Sequence, residues 1–199
     1  MDIIIGMIFA YLLGSVSSAI LVCRFMNLTD PRTAGSLNPG ATNVLRVGGK
    51  KAAALTLIGD MLKGFVPVAL AQAWGMPVES LVMIAFTAFI GHLYPIFFAF
   101  RGGKGVATFL GVLLGLNGWV GAGVIAVWLS MTGLFHISSL SALVASLIAP
   151  VLVWWLESSV LAVLVTALMT SLLFWRHRTN IRDLLGGAEE SIRGPSTEK

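Results

Sequence analysis

The sequence predicts an all-α, polytopic membrane protein, and three observations carry that reading. Hydrophobic residues fill 57% of the 199 positions and charged residues only 11%, against ~25% charged in a typical soluble domain. Mean hydropathy is +0.90. The apolar residues fall in long runs separated by short polar segments, the pattern of membrane-crossing helices. Seven helices of ~20 residues take up ~140 positions, so residues 1–199 read as one integral membrane domain. This composition excludes an ordinary cytoplasmic domain, a disordered chain and a nucleic-acid-binding module. The net charge of +4 is assigned to cytoplasmic loops and not to a nucleic-acid partner.

The first candidate span covers residues 2–23, and Arg24 closes it. Its start lacks a basic residue and it carries no clear cleavage site, so it is read as a retained span. A polar segment over 24–51 follows. The second span covers 52–74, with a turn at Gly75-Met76-Pro77, and the third covers 80–100. Arg101-Gly102-Gly103-Lys104-Gly105 then breaks the apolar pattern. A short apolar segment over 106–116 is ~17 Å long as a helix, against ~30 Å of hydrocarbon. Residues on its Lys104 side must extend it if it crosses. Asn117-Gly118 ends it, and the last three spans cover 119–135, 139–155 and 160–175.

Seven spans place twelve of the thirteen Lys and Arg residues on one side, the exception being Lys63 within a span. The other side offers Asp2, Glu79 and Glu157. The positive-inside rule makes the basic side cytoplasmic, with the amino terminus outside and the carboxy terminus inside. The single cysteine, Cys23, excludes an intrachain disulfide and a Cys-rich metal site.

Two cytoplasmic segments have the chemistry of phosphate sites. The first runs from Gly35 through Ser36, Asn38, Thr42 and Asn43 to Arg46. If a helix starts at Ala41, Thr42 and Arg46 share a face at i,i+4, and Asn43 meets Arg46 at i,i+3. Hydroxyl, amide and guanidinium groups at a helix start suit an anion, although a solvated loop with an N-cap has the same composition. The second runs from Gly91-His92 to Gly102-Gly103-Lys104-Gly105 and Thr108. Glycines let backbone N–H groups approach an anion, the next helix start adds its dipole, and Lys104 adds charge. The loop is not a Walker A motif, because the first glycine and the Lys-Ser/Thr pair are missing.

Other polar residues have structural readings. Asp60 and Lys63, three apart inside a span, should form an interior ion pair, since an isolated charge there costs at least ~2.5 kcal/mol. His92 reads as a packed hydrogen-bonding residue, and Ser138, Ser139 and Ser141 as capping or packing groups. His177 reads as part of a basic anchor with Arg176 and Arg178. Asn180, Arg182 and Glu189 in the tail are placed to reach back over the site. No His-Glu-x-x-His, Gly-x-Ser-x-Gly or His-x-x-x-x-Asp pattern occurs.

Taken together, these motifs resemble the bacterial acyl-phosphate:glycerol-3-phosphate acyltransferase (PlsY) family. The resemblance rests on residues 35–46, on Gly91-His92-Leu93-Tyr94-Pro95 through Gly102-Gly103-Lys104-Gly105-Val106-Ala107-Thr108, on Asp60-Met61-Leu62-Lys63-Gly64, and more loosely on Ser138-Ser139-Leu140-Ser141 and Arg178-Thr179-Asn180-Ile181. Leu37 departs from it, standing where the family usually has glycine. The resemblance implies a seven-helix enzyme of the bacterial inner membrane, active at its cytoplasmic face in the first step of phospholipid synthesis. Such an enzyme moves a fatty acyl group from acyl phosphate to glycerol 3-phosphate, giving lysophosphatidic acid and phosphate. It implies membrane lipids as surroundings and no metal or organic cofactor. It assigns Ser36, Arg46, Lys104 and His177 to catalysis. Asn38, Thr42, Asn43, Gly102, Gly103, Gly105, Thr108, Ser141 and Asn180 are assigned to substrate binding. A membrane transporter of a phosphate ester is the rival expectation, and it requires a polar path across the membrane.

Overall fold

The structure is a computed structural model describing residues 2–192; Arg193 and Lys199, counted in the charge asymmetry, lie outside the described residues. The described chain is helical, with α1 Ile3–Gly14, α2 Ser18–Phe25, α3 Ala41–Ala73, α4 Val78–Leu93, α5 Val106–Leu116, α6 Gly118–Phe135, α7 Ser138–Glu157, α8 Val160–Arg176 and α9 Arg178–Leu185. Four helices, α3, α6, α7 and α4 with the turn after it, are long and apolar enough to cross a membrane. The α1–α2 and α8–α9 pairs, bent by 42° and 62°, bring the number to six if each pair is one span. The seventh apolar segment is α5, whose 11 residues leave it short of a full crossing by itself.

Helix α5 sits at the centre of the bundle, packed on α3, α4 and α6. Nine of its residues are buried, so its apolar composition serves protein packing and not lipid contact. Glycines make the closest approach possible. A Cβ on Gly111 of α5 would stand 2.1 Å from the Met61 carbonyl oxygen of α3, and one on Gly64 of α3 would stand 2.5 Å from that of Thr108. With lipid as apolar as leucine, such close contact is a main source of helix association.

The first span is broken at Ser15–Ser17 and not continuous, and the reason lies in α3. Lys63 Nζ donates to the Val16 carbonyl at 2.6 Å, and the Ser18 N–H donates to Asp60 Oδ1 at 3.4 Å. Asp60 and Lys63 themselves pair at 2.8 Å with both side chains buried. The ion pair expected from sequence therefore also satisfies backbone groups released by the break, a requirement at membrane depth. Helix α3 begins ahead of the expected span, at Ala41, and carries a kink at Gly49 with φ 80°. Its first turns bring residues 41–48 over the end of the bundle where Lys104 emerges.

Candidate active site

One cavity of about 250 Å³ opens at that end. It is lined by Ser36, Asn38, Thr42, Asn43 and Arg46 from the first polar segment, Lys104 and Gly105 from the second, and His177 and Asn180 from the tail. Residues separated by up to 144 positions in sequence thus share one space. Ala53, Ala54 and Leu57 of α3 and Val106 and Ala107 of α5 continue the lining as an apolar slot.

The loop before α3 is tied down by Asn43. Its Nδ2 donates to the carbonyls of Pro31 at 2.8 Å and Ala34 at 3.0 Å, and its Oδ1 accepts from the Ser36 N–H at 2.8 Å. The buried amide is thereby committed to shaping the loop that presents Ser36. Thr42 Oγ1 shares a hydrogen bond with Ser138 Oγ at 2.9 Å, joining α3 to α7. Leu37 takes φ 59°, the left-handed region that favours glycine. Its side chain is exposed, so it leaves the loop's space unobstructed.

The glycine loop is pressed against the end of α4. A Cβ on Gly102 would stand 2.0 Å from the His92 carbonyl oxygen. Gly105 takes φ 95° at the N-cap of α5, and a Cβ there would strike the Phe89 ring at 2.4 Å. Arg176 at the end of α8 clamps the loop from the other side. Its Nη2 donates to the Gly102 carbonyl at 2.7 Å and the Gly103 carbonyl at 2.8 Å, and its Nε to Gly103 at 3.1 Å. The guanidinium also stands 5.7 Å from the centre of the Tyr94 ring. Gly102 and Gly103 therefore contribute shape and carbonyls held by Arg176, while Lys104 is the loop's side chain in the cavity.

A polar chain links the cations to the tail. Lys104 Nζ donates to Asn180 Oδ1, and Asn180 Nδ2 donates to Glu189 Oε1 at 2.7 Å. Ser139 Oγ donates to the same Glu189 oxygen at 2.6 Å. Arg46 pairs with Glu190 at 3.1 Å. The tail is held down where the Ile192 N–H donates to the His136 carbonyl at 2.9 Å. Burial lowers the Lys104 pKa, Glu189 opposes that shift, and the cations of Arg46 and Arg176 reinforce it. His177 is lowered to about 4, mainly by burial, against a hydrogen bond to Leu173 and with Lys104 and Arg176 adding repulsion. Its Nδ1 lies 2.8 Å from the Leu173 carbonyl. A carbonyl only accepts, so Nδ1 carries the proton and Nε2 is left as an acceptor.

Four residues expected at the site do not line the cavity: Gly102 and Gly103, whose carbonyls Arg176 holds, and Thr108 and Ser141. Thr108 is fully buried between α5 and α3, where Oγ1 donates to the Asp60 carbonyl at 3.0 Å. Ser141 is fully buried and donates to the Ile137 carbonyl one turn back at 2.8 Å. Ser138 and Ser139 face the cavity, while Ser141, one turn further into the bundle, spends its hydroxyl on its own helix. Sequence reasoning also missed the Arg176 clamp, which follows only from how α8 packs on the loop. Asp60 and His92 line the cavity floor, their nearest approach being 3.9 Å. Among the described residues, no three His, Cys, Asp or Glu side chains gather to hold a metal ion.

The sequence profile of the family described as "Glycerol-3-phosphate acyltransferase" matches residues 4–187. A relative of that name from Hydrogenovibrio crunogenus is 57% identical, the match covering 94% of this chain and 90% of the relative. One from Thioalkalivibrio sulfidiphilus is 53% identical over 96% and 94%. The structure is similar to a crystal structure of PlsY (YgiH), an integral membrane glycerol 3-phosphate acyltransferase, in its glycerol 3-phosphate form. The TM-score is 0.89 at 36% identity, covering 95% of this chain and 94% of the other. The lysophosphatidic acid form of the same enzyme matches with a TM-score of 0.87 at 35% identity, over 95% and 94%.

Proposed function

Since this chain belongs to the glycerol-3-phosphate acyltransferase family, we propose that it transfers a fatty acyl group from acyl phosphate to the 1-hydroxyl of glycerol 3-phosphate. The products are lysophosphatidic acid and inorganic phosphate. The observation that carries this reading is a cavity that joins two cationic centres, Arg46 and Lys104, to an apolar slot between α3 and α5. Two phosphates and one acyl chain need that combination. The glycerol 3-phosphate and lysophosphatidic acid forms of the PlsY relative support it, since these are the acceptor and the product of the reaction.

The chemistry needs little beyond positioning. An acyl phosphate is a mixed anhydride, and its phosphate leaves readily. Arg46 and Lys104 neutralise phosphate groups and Ser36 helps to orient them, which raises the effective concentration of the hydroxyl at the acyl carbon. Asn38, Thr42, Asn180 and Gly105 complete the walls around them, and Asn43 acts by holding the Ser36 loop. Nε2 of His177 is available to accept a glycerol hydroxyl. With a pKa lowered to about 4, His177 is a poor final proton acceptor, so the proton passes to an oxygen of the departing phosphate. The attack is direct, without an acyl-enzyme. The chain works in the bacterial inner membrane with its amino terminus outside and its carboxy terminus cytoplasmic, the orientation that the basic-residue asymmetry supports.

The test is purified protein supplied with acyl phosphate and glycerol 3-phosphate, scored for lysophosphatidic acid and phosphate in equal amounts. Uptake of glycerol 3-phosphate into sealed vesicles without product would instead support the transporter.

A further inference from the structure

Helix α6 contributes two side chains to the cavity, Trp128 and Thr132. They are four residues apart and so share a face. Trp128 Nε1 and Thr132 Oγ1 are both shielded from solvent and both lack a hydrogen-bond partner among the described residues. Buried donors are costly to leave unmade, so each calls for an explanation. Several helix hydroxyls elsewhere satisfy themselves on the preceding turn, while Thr56 and Thr166, which do not line the cavity, stay unpartnered like Thr132 among the described residues. Ser141 donates to Ile137, Ser171 to Ala167 and Ser146 to Leu143. Thr132 does not do so, although the carbonyl one turn back is the usual acceptor. Among the described residues, three of the six unpartnered buried side-chain polar atoms belong to residues lining this one cavity: Trp128, Thr132 and His92.

Their depth narrows what they can receive. Thr132 lies four residues and Trp128 eight residues before His136, whose carbonyl holds the tail; that is ~6 Å and ~12 Å along the helix axis. The phosphate-binding cations stand at the tail end. The slot beside α6 is lined by Ala53, Ala54, Leu57, Val106 and Ala107, which offer no side-chain acceptor. A fatty chain lying there offers none either. Between the phosphate and the chain, an acyl phosphate has one acceptor suited to both donors, its carbonyl oxygen.

We propose that Trp128 and Thr132 form a carbonyl-binding pair that holds the acyl oxygen of the donor through transfer, and that they are catalytic residues in this sense. The proposal rests on the acyl-phosphate reading above. In the step, the glycerol 1-oxygen forms a bond to the acyl carbon, the bond from that carbon to the bridging phosphate oxygen breaks, and the hydroxyl proton ends on the departing phosphate. Nothing is oxidised or reduced. Negative charge gathers on the carbonyl oxygen between these events, and two fixed donors stabilise it there more than in the ground state.

The experiment uses the full chain with Thr132→Val, which removes the donor and keeps the shape, and Trp128→Phe, which removes the donor and leaves a smaller aromatic ring. Each variant should lose about tenfold in kcat/KM for acyl phosphate, since removing a donor to a developing oxyanion costs at least that. The KM for glycerol 3-phosphate should stay unchanged. Affinity for a long-chain alkyl phosphate, which has no carbonyl, should stay unchanged as well. In the infrared, the 13C-labelled carbonyl of a 2-oxoalkylphosphonate, the acyl phosphate with methylene for its bridging oxygen, should absorb at lower frequency bound to the wild type than to either variant. Wild-type kcat/KM in both variants, or equal loss of alkyl phosphate affinity, overturns the proposal. If the wild type makes no lysophosphatidic acid, the acyltransferase reading fails by itself, and the infrared shift still decides whether the pair binds a carbonyl.

Discussion

Replacing Arg176 with lysine keeps the charge and removes the fork that holds the glycine loop. Arg176 makes three hydrogen bonds to two carbonyls, at 2.7, 2.8 and 3.1 Å. A lysine has a single donor centre and reaches one of those carbonyls. Two of the three charge-assisted bonds are lost, and about 1.5–3 kcal/mol with them, since such bonds do not add fully. The loop carries Lys104, so the loss should fall on activity as well as stability. A displaced Lys104 should lower kcat/KM for acyl phosphate about 10–100-fold. The assay is lysophosphatidic acid formation from both substrates in detergent, with thermal unfolding measured in parallel. Arg176→Ala should lose more than Arg176→Lys in both readouts. Wild-type kcat/KM in Arg176→Lys would refute the clamp and leave Arg176 as a basic anchor at the membrane surface.

Lys104→Ala should reduce turnover about 10–100-fold with little loss of folded protein, because the glycines set the loop's backbone; near-normal turnover would remove Lys104 from the site. Glu190→Gln should lower the KM for one of the anionic substrates by up to about fivefold, since the ion pair with Arg46 is largely exposed and worth at most about 1 kcal/mol; a raised KM would show that Glu190 supports binding. His177 has its pKa lowered to about 4 in the folded chain from an ordinary 6.5. Between these values the unfolded chain holds more protons, so stability is present above pH 6.5 and is lost as pH falls toward 4, by up to about 3 kcal/mol. His177→Gln should flatten that slope in denaturation at fixed pH, and an unchanged slope would mean that other groups set it. Thr108→Val and Ser141→Ala should leave the KM of both substrates unchanged, because both hydroxyls are spent on helix carbonyls; a raised KM would return that residue to the site.

Much of the site was legible because its chemistry is local. The segments around Arg46 and Lys104 predict an anion site through glycines, a cation and a helix start, and the fold brings both cations to one cavity. Leu37 shows why a glycine suits its position, since its φ is 59°. Other features depend on which helix faces which. No spacing rule puts Arg176 beside the Gly102 carbonyl, 74 positions away. Nor does composition show that Asp60 and Lys63 close a broken helix near Val16. Thr108 and Ser141 sit in the right motifs, and the packed helices spend their hydroxyls on carbonyls. The span count is hard for the same reason. An apolar 11-residue helix looks like a short crossing, and its burial among α3, α4 and α6 is visible only in three dimensions.

Direct acyl transfer within one cavity is tested most directly by single turnover in two stages. Labelled acyl phosphate is first mixed with stoichiometric wild-type protein alone, and glycerol 3-phosphate is added afterwards. The expected result is no acylated protein by intact mass and no phosphate burst in the first stage. The second stage should then give lysophosphatidic acid and phosphate in equal amounts, and Cys23→Ala should behave like wild type. A stoichiometric acyl adduct on Ser36, Ser141 or Cys23 that discharges onto glycerol 3-phosphate would contradict direct transfer.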